Sequence, residues 1–121
     1  MDYTCRTYWK AVLNASLCKF FILQAVCERP AHGYGIIRRV AQRTGNLCMP
    51  IQGTVYPVLR EFERCGCMHC RVEVVHGRER KVYRATPKGR KALQAGMDVW
   101  RRGLTRWQTA VRKASTKSQP Q

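Results

Sequence analysis

The chain is short of acid. Its 121 residues hold 7 Asp and Glu against 23 Lys and Arg, a formal net charge of +16. Few carboxylates, most of them expected on helix surfaces, make an acid–base enzyme a poor reading. No Ser-His-Asp set or histidine-rich zinc signature is present, and there are only 3 His. Gly33-x-Gly35 lacks the third glycine and the strand-turn-helix setting of a nucleotide loop. Long apolar runs are scarce too. Phe20-Phe21-Ile22-Leu23 stops at Gln24, short of the ~20 residues of a membrane span, so no membrane partner is expected. The opening Met1-Asp2-Tyr3-Thr4-Cys5-Arg6 lacks the ordered basic, apolar and cleavage regions of a signal peptide. That predicts a cytoplasmic protein. In a reducing compartment the 7 cysteines are read as thiols, metal ligands or redox sensors rather than disulfides.

What is present fits one domain, which typically takes ~100–150 residues. A hydrophobic fraction of 45% supports a core, thin enough that dimerisation would help it. The cation excess implies a polyanionic partner; by charge alone an anionic membrane surface ranks second, and nucleic acid is the expected one.

Trp9, Val12, Leu13, Leu17, Phe20, Leu23 and Val26 recur at three- and four-residue steps and predict a helix over 7–28. Glu28-Arg29-Pro30 ends it, and His32-Gly33 reads as a turn. A second helix is predicted over 34–43, with Ile36, Ile37 and Val40 inward. After a loop over 47–52, a third spans 53–65. It buries Val55, Val58, Leu59 and Phe62, exposes Tyr56, Arg60, Glu63 and Arg64, and stops at Gly66. The period then changes to alternation from Met68 to Val75. A charged turn over 76–80 and a strand over 81–84 complete a hairpin. Thr86 and Pro87 open a last helix to about Lys113. Its seam is Leu93, Met97, Trp100, Leu104, Trp107 and Val111, at alternating four- and three-residue steps. Residues 115–121 read as a disordered tail.

Three helices, a basic hairpin and a long helix make a mainly α fold with a β-hairpin: a winged helix-turn-helix over 1–114, its wing at about 67–84. A helix of this kind fits the major groove of duplex DNA. Three blocks carry a resemblance. His32-Gly33-Tyr34-Gly35-Ile36-Ile37 is similar to the HGYEI signature of PadR-like transcriptional regulators. Gly53-Thr54-Val55-Tyr56-Pro57-Val58-Leu59 resembles their GTLYPAL helix. The run from Gly77 to Gly89 resembles their wing and the entry to their last helix. The resemblance covers roughly residues 10–110. It implies a homodimeric repressor, built on its terminal helices, of the smaller branch with a single C-terminal helix. Two stretches depart from the pattern: Ile51-Gln52 stands where Ser-Pro is frequent, and Cys65-Gly66-Cys67-Met68-His69-Cys70 replaces a Glu-Gly-Leu-Ile run.

The candidate DNA-binding residues are His32, Tyr34, Gln52, Thr54, Tyr56 and Arg60, with Arg78, Arg80 and Lys81 at the hairpin tip. Gln and Arg can pair with base edges, whereas Thr and Tyr donate to phosphate. Capping and plain solvation are the simpler alternative. The partner is expected to be a double-stranded, inverted-repeat operator. Trp9, Leu93, Met97, Trp100, Leu104 and Trp107 are candidates for a dimer interface and effector pocket. In the multidrug-binding branch the resemblance implies, a tryptophan matching Trp100 stacks on planar aromatic ligands between subunits; packing is the alternative. Cys65, Cys67 and Cys70, with His69 and with Cys48 as the additional sulfur, raise a thiophilic-metal or redox sensor against plain packing. Cys18 and Cys27 read as core. No cofactor is expected. A nonspecific architectural DNA-binding protein is the rival from another class.

Overall fold

The computed structural model describes residues 2–118. Its elements are α1 (Arg6–Glu28), β1 (Ala31–His32), α2 (Gly33–Arg43), α3 (Gln52–Arg64), β2 (Met68–Val75), β3 (Arg78–Ala85) and α4 (Pro87–Ser118). Apart from β1 the order agrees with the sequence reading, and the fold class is the expected one: mainly helical, with a small antiparallel sheet.

Four features differ from expectation. Ala31 and His32 form a strand rather than the start of a turn. They pair with Tyr83 and Val82, so the sheet has three strands in the order β1-β3-β2. Two residues are too few for alternation to register. The hairpin turn shrinks to His76 and Gly77, both at positive φ (51° and 77°), the geometry of a two-residue type I′ turn. Val75 therefore faces Arg78 in the ladder, and β3 starts three residues early. The alternation in β2 also fails past Cys70. Val72 and Val74 are 62% and 72% exposed, because the wing projects beyond the core. Finally, α4 continues through 115–118, where a disordered tail was expected; 119–121 lie outside the described residues.

The core is organised on the C-terminal half of α1. Ile22, Leu23 and Val26 are buried with Ile36 and Val40 of α2, Val55 and Leu59 of α3, and Met68 and Tyr83 of the sheet. By hydropathy and length α1 could cross a bilayer, contrary to the sequence reading: an 18-residue window averages 1.4. In this fold its apolar C-terminal half is the common core. α2 and α3 both end on Schellman caps. In α2, Asn46 N–H donates to Ala41 O and Gly45 N–H to Gln42 O. In α3, Cys67 N–H donates to Phe62 O and Gly66 N–H to Glu63 O. Gly66, at φ 81°, supplies the left-handed residue that the second cap needs.

α4 is seated on the rest of the fold through small residues. Gly89 lies against the Cys67 carbonyl and Gly96 against the Phe20 ring, with no room for a methyl group at Gly89. Gly89→Ala must shift backbone. It is expected to cost about 1–3 kcal/mol in denaturant unfolding, as overpacking does. Gly45→Ala, where the space is open but φ is +59°, is expected to show only the smaller left-handed penalty of about 1–2 kcal/mol. A Gly89→Ala variant as stable as the wild type would remove the tight docking at Gly89.

Candidate nucleic-acid interface

The third helix presents its N-terminal end to solvent. Gln52, Gly53, Thr54 and Arg60 are exposed, and no side chain caps the helix at Ile51. Its first N–H groups and its positive dipole end are therefore available to an anion. Its acids, Glu61 and Glu63, lie in the last turns, and Glu61 is engaged by Lys19 at 3.0 Å. Tyr56, expected on the exposed face, is half-buried, and its ring packs over Gly33. A side chain at Gly33 would collide with it, so this tyrosine is first a spacer between α2 and α3.

A basic cleft opens beside the wing. His32, Tyr34 and Arg38 line one wall, and Val75, His76, Arg78 and Arg80 the other, around a volume of about 360 Å³. No acid lines it. Strand alternation puts Arg78 and Arg80 on the cleft side. Lys81 lies opposite Val72 on the other face, so the expected three-cation cluster is split. The Arg80 guanidinium sits over the Tyr34 ring, 5.6 Å from its centroid, a cation–π contact that ties the wing to α2. The sequence reading missed Arg38 and His76. Arg38 lies four residues after Tyr34, so helical spacing alone places it beside that ring.

His32 is the N-cap of α2, its Nδ1 accepting from the Gly35 N–H at 3.4 Å. Burial first, then Arg80, Arg38 and His76, hold its pKa below the ordinary 6.5.

The second group of candidates divides. Trp100 lies flat on Phe20 (5.2 Å, 28°), edge-on to Phe21, and against Trp107 at 5.7 Å. Leu93 and Met97 are half-buried beside it, while Leu104, Trp107 and Val111 are exposed. A shallow depression of about 590 Å³ runs over those last three. Trp9 stands apart, in a cluster with Tyr3 and Tyr8 at the start of α1, its Nε1 donating to the Tyr3 carbonyl at 2.8 Å.

The cysteine cluster is not assembled. Cys65 is exposed, Cys67 is buried, and Cys70 is half-buried beside Tyr83. Among the described residues no group of three His, Cys, Asp or Glu is placed to hold a metal. Cys48 is fully buried next to Cys18, and burial raises both thiols. Cys18 and Cys27 are core, as expected.

A His32 pKa below its unfolded value means that the unfolded chain binds more protons. Stability is then fully present above about pH 6.5 and falls as pH drops through the folded value. The unfolding midpoint of the wild type is expected to fall between pH 6.5 and 5 more steeply than that of His32→Asn, which can cap without titrating. Parallel profiles would remove His32 as the source.

The chain has relatives among transcriptional regulators. Residues 22–95 match the model of the transcriptional regulator PadR-like family. The transcriptional regulator Rv3488 of Mycobacterium tuberculosis (strain ATCC 25618 / H37Rv) is 39% identical over 75 residues, 62% of this chain and 67% of that protein. Among solved structures, a PadR family regulator from Eggerthella lenta DSM 2243 superposes with a TM-score of 0.70 at 23% identity, over 87% of this chain and 90% of the other. A PadR-like regulator from Bacillus cereus strain ATCC 14579 gives 0.72 at 18% identity, over 83% and 96%. Those two likenesses show a shared fold. The family match spans most of the chain, and this protein belongs to the PadR-like family of transcriptional regulators.

Proposed function

We propose that the chain is a cytoplasmic, homodimeric repressor that binds a double-stranded operator and is released by an effector at the dimer interface. The observation that carries the DNA reading is the joint placement of an uncapped, acid-free start of α3 and the acid-free cleft of His32, Arg38, Arg78 and Arg80. In this reading α3 enters the major groove, with Gln52 and Arg60 as candidates for base edges. Thr54 and the cleft cations hold phosphates. Tyr56 positions α3 and contributes at most its hydroxyl.

The dimer reading is supported by the apolar surface left outside the core. Trp9, Val12 and Leu13 on α1 and Leu104, Trp107 and Val111 on α4 are all exposed. A second copy would cover them and set two reading helices about one DNA turn, roughly 34 Å, apart on an inverted repeat. An effector at that seam would favour a different spacing of the two helices. Phe20 already covers one face of Trp100, so a planar aromatic ligand would use the other.

The specificity experiment compares operator variants. Gln52→Ala or Arg60→Ala is expected to change their ranking by about 1–3 kcal/mol if that side chain makes a bidentate base contact. Arg78→Ala with Arg80→Ala is expected to weaken all sequences alike and flatten the salt dependence, by about 0.9 in log–log slope for each lost phosphate contact. An unchanged slope would take the wing out of the interface, and an unchanged ranking would move base readout elsewhere.

The assembly experiment is sedimentation. Leu104→Asp places a charge in the seam and is expected to yield monomers that no longer bind the operator, with α3 intact. A monomeric wild type would end the dimer reading. Planar aromatic compounds are expected to quench tryptophan fluorescence and to lose most of their affinity in Trp100→Ala. Equal affinity in that variant would leave Trp100 as packing.

A further inference from the structure

Half of the net charge lies outside the interface described above. Residues 86–121 carry nine Lys and Arg and a single acid, Asp98, a net of +8 out of +16. Three of these cations have structural tasks. Lys88 donates to the Cys65 carbonyl at 2.7 Å and Arg90 to the Cys27 carbonyl at 3.1 Å, while Arg101 faces Asp98 at 3.5 Å. Lys91, Arg102, Arg106 and Lys113 are exposed and make no hydrogen bond or ion pair among the described residues.

These four form a stripe. At 3.6 residues per turn they fall within an arc of about 60°, on the side of α4 away from its Leu93-to-Val111 seam. At 1.5 Å per residue the stripe is ~33 Å long, close to the ~34 Å of one turn of duplex DNA. Asp98 lies at the edge of this arc, where Arg101 already faces it.

We propose that the outer face of α4 is a second nucleic-acid surface, which holds the phosphate backbone of a second DNA duplex while α3 and the wing hold the first. The occupant follows from charge and from what α4 cannot do. A helix that lies on a membrane inserts its apolar face. On α4 the upper part of that face is already used: Leu93 packs on the core cluster, Trp100 lies on Phe20 of α1, and Met97 is half-buried. The free surface is a row of cations beside which Val99 is the one large exposed apolar residue of α4. It suits a linear polyanion whose charge recurs every ~1.7 Å along its axis. The inference rests on the proposed reading only in taking the lower seam as covered by a second subunit, which leaves the stripe outermost.

The test uses the full chain. A biotinylated duplex on beads is saturated with protein and challenged with a second, fluorescent duplex. The variant carries Lys91→Gln, Arg102→Gln, Arg106→Gln and Lys113→Gln, with helix content checked by circular dichroism. Wild type is expected to retain the second duplex. The variant is expected to capture at least tenfold less, while its affinity for a single duplex changes less than threefold. Arg102→Gln and Arg106→Gln alone give intermediate losses, so the proposal stays testable if the quadruple variant folds poorly. Undiminished capture by the variant would mean that the two reading heads hold separate duplexes, and would overturn the proposal. So would a wild type that captures none, or a stripe that binds phosphatidylserine vesicles and not DNA. Failure of the operator reading is separate: it shows as no preference between operator and random sequence on the first duplex.

Discussion

Every other helix and the central strand take their positions from the packing of one apolar helix. α1 contacts α2, α3, α4 and β3, and Ile22 and Val26 in its second half are closed off from solvent. Its C-terminal end is also where the charge is handled most carefully. Arg39, buried on α2, donates to the carbonyls of Ala25 and Arg29, placing a cation against the negative end of the helix dipole. Burial lowers its pKa, and Glu28 at 3.8 Å works in the opposite direction. Glu28 also takes Arg43 through two bonds of 2.7 and 2.8 Å, which hold its carboxyl below the usual range. A buried cation without such partners would be strongly destabilising, so the register of α2 on α1 is fixed by charge as well as by packing.

With so few acids, their placement determines where the surface stays positive. Glu28, Glu61, Glu73 and Asp98 each face a cation of the chain. Glu73 engages Arg84 at 2.7 Å at the root of the wing, and Glu79 is the remaining acid on the hairpin. The cleft of His32, Arg38, Arg78 and Arg80 and the α4 stripe receive no carboxylate. Exposed pairs of this kind contribute little to stability. Their consequence here is a pattern: the cleft and the stripe stay positive because most of the acids face cations elsewhere.

Helical spacing made the four helices and the inward residues of α2 and α3 readable, and the switch to alternation marked the hairpin. Two features defeated spacing. β1 is too short to show a period, and β2 keeps alternating apolar residues past the point where a core exists to receive them. Val72 and Val74 look inward in sequence and face water in space. Tyr56 was misplaced for a related reason. A half-buried tyrosine satisfies both an apolar and a polar reading, and only the absence of a side chain at Gly33 shows which neighbour its ring needs. The cysteines illustrate the limit of counting. Three within six residues suggest a shared ligand, yet a helix cap, a buried loop residue and a strand send them to different surroundings. The basic cleft was half legible: its wing came from the charge run, while Arg38 and His76 became part of it only when the wing folded toward α2.

α1 also links the two halves of the proposed regulator. Phe20 and Phe21 meet Trp100 on the seam side, and one residue on, Ile22 and Leu23 enter the cluster that buries Val55 and Leu59 of α3. Close-packed interiors have low compressibility. A displacement at the seam is therefore carried along α1 as a small rigid shift rather than absorbed locally. On the proposed reading, an effector that pushes on the open face of Trp100 moves Phe20 and tilts α1, and α3 moves with it. How far the population moves depends only on the ligand's preference for the tilted arrangement, with about 1.4 kcal/mol giving a tenfold change. A ligand that binds both arrangements equally leaves the operator occupied however tightly it binds. Effector recognition in such a chain therefore lies in the shape of the seam after the shift, not in the depth of a pocket before it.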